Sequence, residues 1–338
     1  MSSHPQTYKA AQIKEKEGPF ELVDVQWKDP KDGEIVVKVL ACGVCHSDGI
    51  VKHQIYPTGF PRIPGHEIVG DVVAVPPTEK LWKVGDRVGG GWHGGHCSIC
   101  KRCRAGDYVT CENEAINGIF SDGGYAEYVT LRTEAVASIP RELDPAEAAP
   151  LMCAGITTFN SIRNMGAKPG DVVAVQGIGG LGHLALQYCR AMGFYTVALS
   201  SSESKKQLAQ SLGAHEYVFG ENQVEALQKL GGAKVIVCTA PNSKVIQTLV
   251  NSLSVDGELL ILALADELSI PVGPLISKRL SLKGWPSGTA KDSEEAVAFA
   301  KAAGVRCHVE RFPLDKVNEA YESMASGKAR FRAVLVPA

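Results

Sequence analysis

The chain has 338 residues, of which 45% are apolar and 21% charged, a composition that suits a two-domain globular protein and argues against disorder. Its 35 basic and 37 acidic side chains nearly cancel, so no charge excess points to nucleic acid. The longest apolar run, Leu259–Ala265, is far below the roughly 20 residues that a membrane-spanning helix needs, and residues 1–6 lack the apolar core of a signal peptide. These features predict a cytoplasmic protein with neither nucleic acid nor membrane as a partner.

The first 150 residues are rich in short β-branched runs bounded by glycine and proline. Such runs are typical of short strands in a compact β-rich fold. The predicted strands are Glu34–Leu40, Glu67–Val75, Arg87–Gly89 and Tyr125–Leu131.

From residue 171 the pattern changes to apolar runs that alternate with helical patterns. This alternation predicts a doubly wound parallel sheet of the dinucleotide-binding type. The six predicted strands are Asp171–Gln176, Tyr195–Leu199, Glu216–Phe219, Lys234–Cys238, Glu258–Leu264 and Arg279–Gly284. After them we expect helices at Asp292–Ala303 and Val317–Ser326 and a last strand at Ala333–Val336.

Four of the ten cysteines fall within fifteen residues, in the pattern C-x2-C-x2-C-x7-C. They are Cys97, Cys100, Cys103 and Cys111. Four thiolates complete a tetrahedron around Zn²⁺ and leave no position open, which indicates a structural site. An iron–sulfur cluster is an alternative, but the usual C-x2-C-x2-C-x3-C-P spacing is missing. A nucleic-acid-binding zinc ribbon is another, but its basic flanks are limited to Lys101, Arg102 and Arg104.

A second metal site is suggested by Cys45, His66 and the distant Cys153. Each residue alone is weak evidence, because a single cysteine or histidine is more often a packing residue. Together they supply two thiolates and one imidazole, and three protein ligands with a fourth position open are typical of catalytic zinc. Asp48 could accept the free ring N–H of His66 and so fix its tautomer.

A glycine-rich turn follows the predicted strand Asp171–Gln176 and opens a helix. It contains Gly177, Gly179, Gly180, Leu181 and Gly182 in the pattern G-x-G-G-x-G. In this strand–turn–helix context the glycines permit a tight turn and let backbone N–H groups approach a pyrophosphate. A plain turn without a ligand is the alternative.

Together these motifs resemble the zinc-dependent alcohol dehydrogenases of the medium-chain dehydrogenase/reductase superfamily, over essentially the whole chain. The resemblance implies an α/β protein: a GroES-like β-rich catalytic domain interrupted by a Rossmann cofactor domain with a doubly wound parallel sheet. The implied division is 1–152 for the catalytic domain with the structural-zinc lobe, 153–287 for the cofactor domain and 288–338 for a return to the catalytic domain. The implied cofactors are two zinc ions per chain and a nicotinamide dinucleotide.

By the same resemblance Cys45, His66 and Cys153 bind the catalytic zinc, with Glu67 as an occasional exchanging ligand. The four clustered cysteines bind the structural zinc. The hydroxyl of Ser47 hydrogen-bonds the substrate alcohol and passes its proton.

Further roles are carried over by the resemblance to positions near the cofactor and the substrate. His46 and Arg332 lie near the cofactor pyrophosphate, and Thr157 lies near the nicotinamide. Tyr56 and Trp92 line the substrate pocket, although core packing is an alternative for both. Where many relatives have a proton-relaying histidine this chain has Ile50, so we expect the proton to leave through ordered water, with His53 as a surface histidine.

The residues after the second Rossmann strand bear on the choice of cofactor. An NAD-binding unit carries an acidic residue there, about 20 residues past the glycines, which binds the ribose hydroxyls. This chain instead has Ser200, Ser201 and Ser202, followed by Lys205. The stretch resembles NADP-dependent cinnamyl-alcohol dehydrogenases, so we expect NADP(H) to be preferred over NAD(H), although Glu203 could still support NAD(H).

The predicted reaction is hydride transfer between a primary alcohol or aldehyde, aliphatic or aromatic, and the nicotinamide. A polyol or aldehyde-specific dehydrogenase of the same superfamily is an alternative, and so is a catalytically inactive nucleotide-binding relative. We expect a homo-oligomer. A tetramer is favoured over a dimer, because the stretch from Cys111 to Gly118 lacks the long insertion of dimeric animal relatives.

Overall fold

A computed structural model describes residues 4–337 of the chain. The described residues divide into two compact units. The first unit contains the residues up to Cys153, together with Ser287–Ala298 and the residues from Cys307 onward, and the second contains Ala154–Pro286 and Phe299–Arg306. The expected division at 152/153 and 287/288 stays a prediction; in the structure residues 299–306 group with the second unit.

Strands dominate the first unit and alternate with helices in the second. In chain order the strands are β1 (Thr7–Gln12), β2 (Glu21–Gln26), β3 (Glu34–Gly43), β4 (Ile68–Ala74), β5 (Arg87–Gly90), β6 (His93–Gly95), β7 (Ala115–Ile116), β8 (Tyr128–Arg132), β9 (Val136–Ser138), β10 (Val172–Gln176), β11 (Tyr195–Ser200), β12 (Glu216–Phe219), β13 (Ala233–Cys238), β14 (Leu253–Ile261), β15 (Ser281–Gly284), β16 (Val309–Pro313) and β17 (Arg332–Val336). The helices are α1 (Gly49–Lys52), α2 (Lys101–Arg104), α3 (Pro145–Ala148), α4 (Ala154–Arg163), α5 (Gly182–Ala191), α6 (Lys206–Ser211), α7 (Gln223–Lys229), α8 (Ser243–Leu249), α9 (Val272–Lys278), α10 (Ala290–Ala303) and α11 (Val317–Ala325). Within residues 4–337, no helix has both the length and the apolar character to cross a membrane.

The main sheet of the first unit has the strand order β16-β17-β3-β4-β5-β9, with β8 paired to β3. All its pairs are antiparallel except β16 with β17. Buried and exposed residues alternate along β8, as expected for a strand with one face on the core. The core beneath includes Ile35, Val37, Ile68 and Leu131. Two separate ribbons, β1-β2 and β6-β7, complete the β-structure described for this unit.

The second unit is built on a parallel sheet with the order β12-β11-β10-β13-β14-β15. This is the order of the dinucleotide-binding fold, in which the chain starts in the middle and winds outward in both directions. The central strands β10 and β13 are buried almost continuously, because helices cover both faces of such a sheet. The predicted combination of a β-rich unit with a doubly wound parallel sheet of the Rossmann type is therefore confirmed.

Candidate active site

A short turn after β3 places the first two residues of the site. A 3₁₀ helix, His46–Asp48, starts directly after Cys45. The Asp48 carboxylate accepts the backbone N–H of Cys45 at 2.8 Å, which closes the turn as a helix-capping contact. Both side chains are buried in this turn, with Cys45 5% and Asp48 0% exposed.

His66 and Glu67 precede β4 and are completely buried. The backbone N–H of Gly43 donates to the Glu67 carbonyl at 2.9 Å, which fixes this segment beside the end of β3. A Cβ atom at Gly43 would lie 1.8 Å from the Glu67 Oε2 atom. Glycine at position 43 therefore makes room for the Glu67 side chain.

Cys153 reaches the same place from a distant part of the sequence. Helix α3 begins after Asp144, whose carboxylate accepts the backbone N–H groups of Ala146 at 2.9 Å and Glu147 at 3.1 Å. With Pro145 in its first turn, this is a strong helix start. The chain continues through a 3₁₀ helix, Ala149–Met152, and delivers Cys153 at its end.

The ligand atoms of these residues form a compact cluster. Cys45, His66, Glu67 and Cys153 each offer one atom, and all four lie within 4.8 Å of one another. The sulfurs of Cys45 and Cys153 are 3.9 Å apart. Two thiolates bound tetrahedrally at about 2.3 Å from one Zn²⁺ would be separated by about 3.8 Å. Among the described residues the buried His66 Nε2 atom has no hydrogen-bond partner, so the donor set fits a zinc ion.

The electrostatics of the cluster favour a cation. A hydrogen bond from the Cys153 thiol, together with the nearby positive charges of His66 and Arg332, holds the pKa of Cys45 well below its usual range. Burial opposes a charge on His66, yet the anionic Asp48 and Cys45 outweigh it and raise the pKa of His66 to about 10. The same negative groups would also attract a divalent cation.

Asp48 lies behind His66. Its Oδ1 atom is 3.0 Å from the His66 Nδ1 atom, although the direction of the N–H group falls short of a well-aligned hydrogen bond. This is the side of the ring opposite Nε2. A carboxylate there orients the imidazole and leaves Nε2 free for a metal.

Glu67 is held by a buried cation. The Arg332 guanidinium donates through Nη2 to the Glu67 Oε1 atom, and the two side chains are 4% and 0% exposed. The Glu67 Oε2 atom has no hydrogen-bond partner in the described part of the chain. Glu67 thus presents one occupied and one available oxygen at the cluster.

The four-cysteine lobe forms the second cluster. Cys97, Cys100, Cys103 and Cys111 offer sulfurs that all lie within 4.8 Å of one another. The sulfurs of Cys100 and Cys111 are 3.9 Å apart, and those of Cys111 and Cys97 are 3.6 Å apart. These values also fit ligands of one tetrahedral zinc ion.

Backbone N–H groups point at the sulfurs of this lobe. The Cys97 sulfur accepts from the N–H of Cys100, and the Cys100 sulfur from the N–H of Cys103, each at 3.4 Å. Backbone hydrogen bonds at residues 99 and 100 lower the pKa of Cys97 to about 6. Burial raises the pKa of Cys103 to about 12. Backbone hydrogen bonds thus stabilise the thiolate of Cys97. The buried thiolate of Cys103 needs a cation to compensate its charge.

The glycine-rich turn lies between β10 and α5 in the second unit. Gly177 has φ +90°, a conformation that favours glycine. A Cβ atom at Gly182 would lie 1.9 Å from the Gly177 carbonyl oxygen, so the first turn of the helix packs directly on the loop. A Cβ atom at Gly179 would meet nothing within 4 Å. The loop therefore has open space above it and a helix N-terminus beneath, an arrangement that fits a pyrophosphate.

The serine run follows β11 in the same unit. Ser200 is buried, and its carbonyl accepts from the Gln223 side chain at 2.8 Å. Ser201 and Ser202 are exposed. The Lys205 ammonium donates to the Ile178 carbonyl at 2.8 Å. A positive charge therefore lies beside the glycine-rich turn.

The other expected site residues are distributed as follows. Ser47 is half-buried and His46 exposed, on the 3₁₀ helix after Cys45. Thr157 is half-buried on α4. Trp92 packs edge-on against the His66 ring at 5.1 Å between centroids. Tyr56 is 50% exposed.

Sequence reasoning missed Tyr125. Its hydroxyl donates to the Asp48 Oδ2 atom at 2.6 Å, across 77 residues of sequence. It also missed the pairing of Arg332 with Glu67, 265 residues apart. No local spacing pattern signals either contact, because each depends on how distant strands are brought together.

Comparison with known proteins identifies the family. The model of the alcohol dehydrogenase GroES-like domain matches residues 31–141, and that of the zinc-binding dehydrogenase domain matches residues 180–302. An alcohol dehydrogenase, patD of Penicillium expansum, is 50% identical over 99% of both chains.

Two solved structures share the fold along nearly the whole chain. The alcohol dehydrogenase of the archaeon Aeropyrum pernix is 30% identical, with a TM-score of 0.87 over 97% of this chain and 100% of the other. A cinnamyl-alcohol dehydrogenase of Helicobacter pylori, solved with NADP(H), is 26% identical, with a TM-score of 0.87 over 98% of each chain. The chain belongs to the zinc-type alcohol dehydrogenases of the medium-chain dehydrogenase/reductase superfamily.

Proposed function

We propose that this alcohol dehydrogenase interconverts primary alcohols and aldehydes with NADP(H), using one catalytic and one structural zinc ion per chain. The observation that carries the proposal is the cluster of Cys45, His66, Glu67 and Cys153, of which Cys153 is half-buried and the other three are buried. It offers two sulfurs and one imidazole as firm ligands and a carboxylate that Arg332 already holds. Such a set leaves a position for substrate, whereas the four-cysteine lobe has none.

The chemistry divides between the chain and its cofactors. When bound, zinc supplies a Lewis acid at the substrate oxygen, and the nicotinamide exchanges the hydride. The chain holds the zinc through Cys45, His66 and Cys153 and orients His66 through Asp48. The half-buried Ser47 hydroxyl, two residues after Cys45, takes up or returns the hydroxyl proton of the substrate.

The preference for NADP(H) rests on charge at the end of β11. A carboxylate at Ser200 or Ser201 would repel a 2′-phosphate, whereas a hydroxyl can donate a hydrogen bond to it. Lys205, held at the Ile178 carbonyl, adds a positive charge nearby. Glu203 is exposed and could still bind a ribose hydroxyl, so some activity with NAD(H) is expected.

A matrix of cofactors and substrates tests this proposal. We expect kcat/KM with NADPH to exceed that with NADH for aliphatic and aromatic aldehydes.

Variants at the end of β11 test the cofactor preference directly. Ser201→Asp should reverse the preference for NADPH over NADH. Lys205→Ala should lower kcat/KM for NADPH about ten- to a hundredfold, the effect of one lost contact to a charged phosphate. Lys206→Ala, which removes the adjacent exposed lysine, is the matched control and should change little. An equal or higher kcat/KM with NADH in the unmodified enzyme would overturn the proposed cofactor.

A polyol dehydrogenase is the second candidate, because a mannitol dehydrogenase of Petroselinum crispum is 36% identical to this chain over 90% of its length. Including sugar alcohols in the same matrix separates the two. Activity confined to polyols would replace the proposed substrate class.

We further propose a cytoplasmic homotetramer. Six cysteines at the two clusters must stay reduced to bind metal, which suits a reducing compartment. The edge strand β15 exposes Leu282, and helix α9 exposes Val272 and Ile276, so this side of the second unit offers an apolar surface for self-association. Light scattering at micromolar concentration should give the tetramer mass; a dimer would revise the stoichiometry, and a monomer would contradict the proposal.

A further inference from the structure

The two oxygens of the Asp48 carboxylate are used differently. Oδ2 accepts two hydrogen bonds, from the Cys45 backbone N–H at 2.8 Å and from the Tyr125 hydroxyl at 2.6 Å. Oδ1 is directed at His66, with its Nδ1 atom 3.0 Å away. With two donors on one oxygen, the carboxylate plane is held so that the other oxygen faces the imidazole.

Tyr125 is held by backbone hydrogen bonds and by close packing. Its backbone N–H donates to the Pro64 carbonyl at 3.0 Å, and its own carbonyl accepts from Ala11 at 2.7 Å. The ring is completely buried and packs on Gly65, where an added Cβ atom would lie 2.5 Å from the ring. Burial and the nearby Asp48 charge raise the pKa of Tyr125 well above its usual range, so its hydroxyl stays protonated and remains a donor.

We propose that Tyr125 is a positioning residue for the catalytic zinc site, acting through Asp48 on the orientation of His66. The proposal rests on the proposed zinc at Cys45, His66 and Cys153. The Cys45 N–H group lies on the same turn as Asp48 and moves with it, whereas Tyr125 belongs to a separate segment of the first unit. The Tyr125 hydroxyl therefore ties the turn to the surrounding fold.

Removing only the hydroxyl isolates this effect. In Tyr125→Phe the ring still fills its space, but Oδ2 loses one of its two donors and the carboxylate gains freedom to turn away from His66. Loss of a hydrogen-bonding partner behind a metal-bound histidine weakens metal binding by about 10- to 100-fold. Because Tyr125 is one step further from the metal, the lower end of that range is expected.

The test follows the release of zinc from the full-length, zinc-loaded enzyme to a chelator. Zinc release is expected in two kinetic phases, one for each site. The Cys153→Ser variant lacks a ligand of the catalytic site, so the phase that remains in it belongs to the four-cysteine lobe. In Tyr125→Phe the release from the other site should be about tenfold faster, with the lobe phase unchanged. After cobalt substitution, the visible absorption of the same site should shift. Tyr128→Phe, a half-buried tyrosine three residues further along, is the control and should behave as the unmodified enzyme.

A double-mutant cycle shows whether the effect passes through Asp48. Adding Tyr125→Phe to Asp48→Asn should not accelerate zinc release further. Fully additive effects, an unchanged release rate and cobalt spectrum, or a Tyr125→Phe chain that does not fold would each overturn the positioning role. If the unmodified enzyme itself releases zinc only from the lobe, then the proposed catalytic zinc fails rather than this inference alone.

Discussion

The two metal-binding clusters differ in how the chain builds them. In the lobe, Cys97–Cys111 brings all four ligands together within fifteen residues, and neighbouring backbone N–H groups bond the sulfurs. In the other cluster the ligands come from the turn after β3, the segment just before β4 and the segment after α3, up to 108 residues apart. The lobe is a local arrangement, whereas the catalytic cluster is assembled by the fold.

This difference predicts which property each cluster supports. A short loop without a core of its own gains order from its metal, so metal binding and local folding are coupled there. The ligands of the other cluster are instead held by the surrounding fold, next to β3, β4 and the 3₁₀ helix Ala149–Met152. Loss of a ligand should therefore reduce stability in the lobe and activity in the catalytic cluster.

The largest expected effect is that of Cys153→Ser. Losing a zinc ligand removes several kcal/mol of transition-state stabilisation, so kcat/KM should fall by at least about a thousandfold. Circular dichroism should show a folded protein. Cys307→Ser, a buried cysteine outside both clusters, is the control and should remain active. A Cys153→Ser enzyme with near-normal turnover would remove the distinction between the clusters.

Cys103→Ser tests the opposite half of the comparison. Cys103 is a buried lobe ligand, and its loss should lower Tm on the order of 10 °C, because structural zinc contributes directly to folding. Turnover measured well below the new Tm should persist. Unchanged thermal stability would show that the lobe does not depend on its metal.

Glu67→Gln shows whether Glu67 mainly pairs with Arg332 or is a permanent zinc ligand. It leaves the Arg332 guanidinium, 4% exposed, without its anionic partner, which should cost about 3 kcal/mol of unfolding free energy in urea titrations. Zinc content should stay the same. The control Glu225→Gln breaks an exposed pair with Lys229 and should leave stability unchanged. If Glu67→Gln instead lost one zinc per chain, Glu67 would be a permanent ligand.

The smallest effect is expected for His53→Ala. The His53 Nδ1 atom is 2.8 Å from the Glu17 carboxylate, and its Nε2 atom is 3.4 Å from the Tyr321 hydroxyl, on a side chain that is 43% exposed. Both ring nitrogens are thus engaged at the surface. The kcat and its pH profile should change less than about twofold. A large loss would make His53 the proton relay; Ile50, packed in the apolar core, cannot take that role.

Local patterns predicted the elements whose signals are local. The near-continuous apolar runs of β10, β11 and β13 and the glycine-rich turn were found within one or two residues of their observed positions. Errors arose where tertiary contacts or backbone conformation decide. The last Rossmann strand begins at Ser281 rather than Arg279, because Arg279 has φ +53° and ends α9 in a left-handed conformation.

The same reason explains the shifted start of β8. The expected strand began at Tyr125, but that residue pairs with Pro64 and Ala11, and the ladder with β3 starts only at Tyr128. The hairpin β1-β2 was not anticipated either, although exposed and half-buried residues alternate along β2 from Leu22 onward. The lobe could be proposed from spacing alone, whereas the contacts of Asp48 with Tyr125 and of Glu67 with Arg332 exist only in the folded chain.

The most direct test of two unlike metal sites is the zinc content per chain, measured by mass spectrometry of purified protein together with turnover. The account predicts two zinc ions in the unmodified enzyme, and one in Cys153→Ser, which should remain folded and inactive. One zinc ion in the unmodified enzyme, or an active Cys153→Ser variant that retains two, would contradict it.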